Sequence, residues 1–117
     1  MRIIAGPCQH ESILESFEIA SYCRRVCDDL GIEYIFKASF DKANRSSKQG
    51  VRGLGLEKTL HDFKLLKEKH GDTLKILTDV HETWQVDKVK DVVDVIQIPA
   101  FLCRQTDLIQ KACKTDC

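Results

Sequence analysis

The stretch Tyr34-Ile-Phe-Lys-Ala-Ser-Phe-Asp-Lys-Ala-Asn-Arg-Ser-Ser47 changes character halfway along. Its first half is apolar and aromatic, the composition of a buried strand; its second half is polar and basic. Strand alternation places Ile35, Lys37 and Ser39 on one side, so a lysine stands on an otherwise apolar face and calls for an anion. Between Lys37 and Arg52 five cations (Lys37, Lys42, Arg45, Lys48, Arg52) face one anion, Asp41. The whole chain balances 18 basic against 18 acidic side chains, so this excess is local. A strand that runs out into cations, hydroxyls and glycines (Gly50, Gly53, Gly55) offers what phosphates and carboxylates require. A solvated basic loop is the plainer reading of a charge run. The connection to Gly55 is about 17 residues long, a length that is usually functional or disordered.

Working outward, Arg2 to Ala5 reads as a short apolar strand stopped by Gly6-Pro7. An amphipathic helix follows from roughly Leu14 to Leu30, with Leu14, Phe17, Ala20, Tyr22, Val26 and Leu30 as its stripe and Gly31 as its stop. Glu33 to Lys37 is the second strand. Leu56 to Lys69 is a helix burying Leu56, Leu60, Phe63 and Leu66, with His61 and His70 at the surface. Lys75 to Asp79 is the third strand, and a short helix near Trp84 to Asp91 leads to a fourth, Val93 to Ile98. The apolar run of that strand predicts cover on both faces. Thr106 or Asp107 would cap a last helix running to the terminus.

Strand-then-helix units in succession are the repeat of a (β/α)8 barrel. A Rossmann sheet shares the alternation, but no Gly-x-Gly-x-x-Gly follows the first strand. Residues 1–117 make one α/β domain, and a full barrel takes roughly 250 residues, so four units amount to the N-terminal half of one. Cys8, Lys37 to Ser46, Asp79 and Gln97 to Arg104 all follow strands, which in a barrel is the active-site face.

The chain opens on Met1-Arg2-Ile3-Ile4 and meets Gly6-Pro7 before any apolar region long enough for a signal peptide. No apolar run approaches the roughly 20 residues of a membrane span. Six cysteines could mark a disulfide framework, yet Cys23/Cys27 and Cys113/Cys117 sit a helical turn apart and secretory features are missing. Reduced thiols in a cytoplasmic protein are the expectation. Cys23 and Cys27 could share a metal, but no other ligands are nearby in sequence and core packing is favoured. Zero net charge gives no reason to expect nucleic acid or an anionic membrane as partner.

Phe36-Lys-Ala-Ser-Phe-Asp-Lys-Ala-Asn-Arg-Ser-Ser47 closely resembles the signature loop of the 3-deoxy-D-manno-octulosonate 8-phosphate synthases. Ile4-Ala-Gly-Pro-Cys8 with Glu11-Ser12, Leu77-Thr-Asp-Val-His-Glu82 and Asp94 to Leu108 resemble the same family, in the same order. The resemblance implies a half-barrel of an enzyme that joins phosphoenolpyruvate to arabinose 5-phosphate, making a lipopolysaccharide precursor. By matching positions it implies that Lys37, Ser39 and Lys42 hold phosphoenolpyruvate, with Gln97 and Ala100 beside it. Asn44, Arg45 and Ser46 would take the sugar phosphate and Asp79 its hydroxyls, with Lys37, Lys42, Asn44 and Asp79 carrying the chemistry. Arg104 would reach a neighbouring subunit of a homo-oligomer. Cys8 would ligate a divalent metal in the complete enzyme, whereas this chain alone, lacking the partner ligands, would need none and have negligible activity. A sister synthase using erythrose 4-phosphate and a non-catalytic anion-binding half-barrel are the competing readings. His81 and Glu82 receive no role.

Overall fold

A computed structural model describes residues 1–42, 53–71 and 73–117. The elements run β1 (Arg2–Gln9), α1 (Ile13–Asp29), β2 (Glu33–Ser39), α2 (Leu56–Lys69), β3 (Lys75–Asp79), α3 (Thr83–Val89), β4 (Val95–Gln97), a 3-10 turn (Ala100–Leu102) and α4 (Thr106–Ala112). The four strands pair in parallel in the order β1-β2-β3-β4. A doubly wound sheet reverses its strand order at a switch point; this one never does. Its order is that of four consecutive units of a (β/α)8 barrel.

The two faces of the sheet are chemically distinct. Tyr34, Phe36, Ala38 and Ile76 join Phe63 and Leu66 of α2 and Val86 and Val89 of α3 in the core beneath the helices. Phe36 meets Phe63 edge to face. The opposite face is layered across the strands by register. At its N-terminal end Glu33 accepts from Arg2 Nε and Lys75 Nζ, each at 2.7 Å. Ile4, Ile35 and Lys75 are in register across β1 to β3, and Lys37, Leu77 and Val95 across β2 to β4. Lys37, Ser39, Asp79 and Gln97 stand at the C-terminal ends.

Several sequence expectations need correction. β1 does not stop at Gly6-Pro7 but continues to Gln9, with its register slipping between Ala5 and Cys8. Pro7 is tolerated because β1 is an edge strand with an irregularity at that point. On α1 the expected stripe holds for two of its six residues. Phe17 and Ala20 pack inward, but Leu14, Tyr22, Val26 and Leu30 are exposed. The buried face is Ile13, Ser16, Phe17, Ala20, Cys23 and Cys27, on which small residues let the helix lie close to the sheet. Both thiols of that face pack in or against the core, as expected.

His70 is half-buried rather than at the surface, its ring tilted 5.2 Å from Phe17. β4 shortens to three residues and, as an edge strand, is not covered on both faces; Gln97 is exposed. Asp94 leaves the strand and accepts from the Ile76 N–H instead. α4 is preceded by Gln105 rather than Thr106 or Asp107 as its cap, and it ends at Ala112. Among the described residues no helix is long and apolar enough to cross a membrane.

Candidate active site

The C-terminal ends of β2, β3 and β4 and the turn after β4 enclose an open cavity of about 570 Å³. Lys37, Ser39, Lys42, Asp79, Gln97 and Ala100 all line it. Every described residue expected to touch the substrates is therefore in one place, apart from Arg104. That arginine is exposed and does not line the cavity, nor does Cys8. Asn44, Arg45 and Ser46 lie outside the described residues.

Ser39 is fully buried and organises the cations. Its Oγ accepts from Lys42 Nζ at 2.6 Å and from Lys37 Nζ at 3.2 Å. A hydroxyl has two lone pairs to offer, so this pair fills both and leaves the O–H to donate toward Asp79. Each ammonium keeps two further protons with no other partner among the described residues. Two neighbouring cations with spare donors, held by one neutral oxygen, have the chemistry that a multiply charged anion requires.

Asp79 stands across from them, buried, with Oδ2 accepting from His81 Nε2 at 3.0 Å. Its burial favours the protonated form, but the His81 bond and the nearby Ser39 hydroxyl outweigh that, and the carboxyl sits below its ordinary range. Asp79 is thus a carboxylate, an acceptor only. Its Oδ1 and the Nδ1 of His81 are buried with no hydrogen-bond partner among the described residues. Orphaned polar atoms in a native site call for a ligand or water. A hydroxyl that donates to Oδ1 would satisfy the first.

His81 and Glu82, given no role from sequence, both border the cavity. The His81 ring leans on Phe40 with centroids 5.4 Å apart. Glu82 caps α3 in a reciprocal box with Gln85, and Gln85 Oε1 accepts the His81 N–H at 2.7 Å. This cap fixes the turn that carries His81 back over Asp79. The signal available in the sequence was the Glu-x-x-Gln spacing of a capping box.

Cys8 is exposed and has φ 65, a left-handed conformation that costs a non-glycine residue of the order of 1–3 kcal/mol. Among the described residues no three His, Cys, Asp or Glu gather around a common point. A metal site needs three or four protein ligands, so the described residues do not by themselves make one.

The parallel sheet thus has the order of half a (β/α)8 barrel, with Lys37, Lys42 and Asp79 gathered at its C-terminal strand ends. The chain belongs to the DAHP synthetase I family, matching it over residues 1–117. It is 54% identical over 113 residues to a 2-dehydro-3-deoxyphosphooctonate aldolase of Fusobacterium nucleatum, covering 97% of this chain and 40% of that protein. Proteins of the same name from Brucella canis and Bartonella bacilliformis are each 50% identical, over 98% and 100% of this chain and 41% of their own length. The chain spans about two fifths of the curated relatives it matches.

Proposed function

We propose that this chain supplies the anion-binding face of a phosphoenolpyruvate-condensing synthase that joins phosphoenolpyruvate to arabinose 5-phosphate. In that reaction the methylene carbon of phosphoenolpyruvate forms a bond to the aldehyde carbon, whose oxygen becomes a hydroxyl. Water adds to the former enol carbon, and inorganic phosphate leaves by C–O cleavage. Both substrates are anionic, so holding and aligning them is the main task of the protein. Lys37 and Lys42 would clamp phosphoenolpyruvate through its phosphate and carboxylate, with Gln97 and Ala100 alongside. Asp79 would accept from sugar hydroxyls, and Asn44, Arg45 and Ser46 would receive the sugar phosphate.

The observation that carries this reading is the convergence of the Lys37 and Lys42 ammoniums on Ser39 Oγ, in one cavity with Asp79. A homo-oligomer using Arg104, a cytoplasmic location and a divalent metal with Cys8 as one ligand belong to the same proposal. The description of the matched family favours a second reading, a heptulosonate synthase using erythrose 4-phosphate; the names of the curated relatives favour the first. Titration calorimetry with phosphoenolpyruvate, then with each sugar phosphate, tests both. Binding of phosphoenolpyruvate and of arabinose 5-phosphate in preference to erythrose 4-phosphate is expected. Absence of any phosphoenolpyruvate binding overturns the clamp. The 117-residue chain alone is expected to turn over negligibly.

A further inference from the structure

Outside the cavity, His10 is fully buried and joins four elements. Its backbone N–H donates to the Ser39 carbonyl at 2.9 Å. Its Nδ1 lies 2.8 Å from Ser16 Oγ of α1, and its Nε2 lies 2.9 Å from Asp62 Oδ2 of α2. Asp62 is itself buried, and its other oxygen accepts from Lys58. Burial pushes the Asp62 carboxyl up, but the bonds from Lys58 and His10 outweigh it and hold it below its usual range. Being a carboxylate it can only accept, so Nε2 carries the proton that bridges β1 to α2. The Phe63 ring closes the pocket edge-on at 5.5 Å.

This knot sits where the backbone is hardest to hold. β1 slips register between Ala5 and Cys8, Cys8 takes a positive φ, and Gln9 is in register with Ser39. We infer that His10 is a positioning residue: through its buried bonds to Ser16 and Asp62 it holds the tip of β1 against Ser39, and thereby sets the lysine clamp and the presentation of Cys8. The bond to Ser39 is from the backbone and survives any side-chain change; what the side chain fixes is where that backbone stands. The part that concerns the clamp rests on the proposed phosphoenolpyruvate reading, whereas the part that concerns Cys8 does not.

The test compares the full chain with His10→Phe, which fills the pocket but removes both side-chain bonds, and with His10→Gln, which keeps a donor for Asp62. Two readouts are followed: phosphoenolpyruvate affinity by calorimetry, and the iodoacetamide alkylation rate of the Cys8 peptide by mass spectrometry. Misplacement of a binding group costs one to two decades, so His10→Phe is expected to weaken phosphoenolpyruvate by about tenfold or more. It should also change the Cys8 rate severalfold while the rates of Cys103 and Cys113 stay put, and His10→Gln should recover part of both. A folded His10→Phe chain with both readouts within about twofold of the original overturns the inference, since that is the scatter of a surface change. If the original chain does not bind phosphoenolpyruvate, the clamp reading fails on its own and the Cys8 rate alone decides for His10. Should His10→Phe not fold, Ser16→Ala and Asp62→Asn are measured in its place, with the same expected and overturning results.

Discussion

The Lys42 ammonium lies 2.6 Å from the Ser39 hydroxyl that also receives Lys37, so one small side chain spaces two positive charges. Removing it leaves both lysines without that acceptor and free to diverge. Ser39→Ala is therefore expected to weaken phosphoenolpyruvate binding by roughly tenfold, the worth of one hydrogen bond to a charged group. Lys37→Met and Lys42→Met should each weaken it further and flatten its salt dependence, because each removes a whole charge. Calorimetric titration at two ionic strengths checks all three. Affinity unchanged in Ser39→Ala would show that the hydroxyl is only a neighbour.

Gly6 is the backbone counterpart of that arrangement. A Cβ built there would come within 2.0 Å of the Lys37 carbonyl oxygen, on the strand that carries the clamp. No side chain can yield, since the obstacle is backbone. Gly6→Ala is expected to destabilise by more than about 3 kcal/mol, the range reserved for overpacking and broken strand pairing. Gly31→Ala is the control: its φ of 65 strains an alanine, but nothing lies within 4 Å of the added carbon. It should cost only about 1 kcal/mol. Urea melts of the two variants, side by side, make the comparison.

How far the sequence was legible depended on whether a signal was local. The bounds of α2 and β3 were read correctly because Gly55, the apolar spacing and Asp79 mark them in place. Lys37, Ser39, Lys42, Asp79 and Gln97 were expected at one mouth because each lies at or just after the C-terminal end of a strand, and parallel strands bring those ends together. The α1 face was misread because hydrophobicity favoured Leu14 and Tyr22 over Ser16. The latter is buried for its hydroxyl, which His10 uses. His10 itself was invisible: its partner Asp62 lies 52 residues away, and no short pattern links them. The same holds for the run of β1 past Gly6-Pro7, which depends on Phe36 to Ser39 as a template alongside.

Acid should destabilise the fold in two stages. Burial lowers the His70 pKa from its ordinary 6.5, with the Arg24 charge adding to the effect. The unfolded chain then takes up a proton before the folded one does, so stability begins to fall as pH drops below about 6.5. The second stage comes from carboxylates. The hydrogen bonds from Lys75 and Arg2 hold Glu33 at about 2 instead of 4.5, and Asp62 and Asp79 are also lowered. A depressed carboxylate stabilises fully above its unfolded pKa and loses that contribution as pH falls through the folded value. The second stage therefore spans roughly 4.5 to 2 for Glu33. Urea melts from pH 7.5 to 3 should show both, and His70→Gln should remove only the upper one. A flat profile between pH 7 and 5 in the original chain would discard the His70 assignment.

The apolar residues on the sheet face turned away from the helices bear on association. Ile35 and Leu77, in the middle strands, are buried, but Ile4 on β1 is 52% exposed and Val95 on β4 is only half-buried. Apolar side chains that a closed barrel would cover thus stand open at both edges, alongside unpaired strand backbone. Such edges template pairing with another chain, and scattered apolar exposure of this kind favours association when it is contiguous with an edge. The 117-residue chain should therefore self-associate in sedimentation velocity runs at micromolar concentrations, with an apparent mass that rises with loading. Ile4→Lys places a charge on the β1 edge without touching Lys37, Ser39 or Asp79, and is expected to shift the distribution toward monomer while leaving phosphoenolpyruvate affinity within about twofold. A chain that sediments as a monomer at every concentration would mean that the exposed layer is covered in solution by rearrangement of the sheet itself, and that the edges are not sticky.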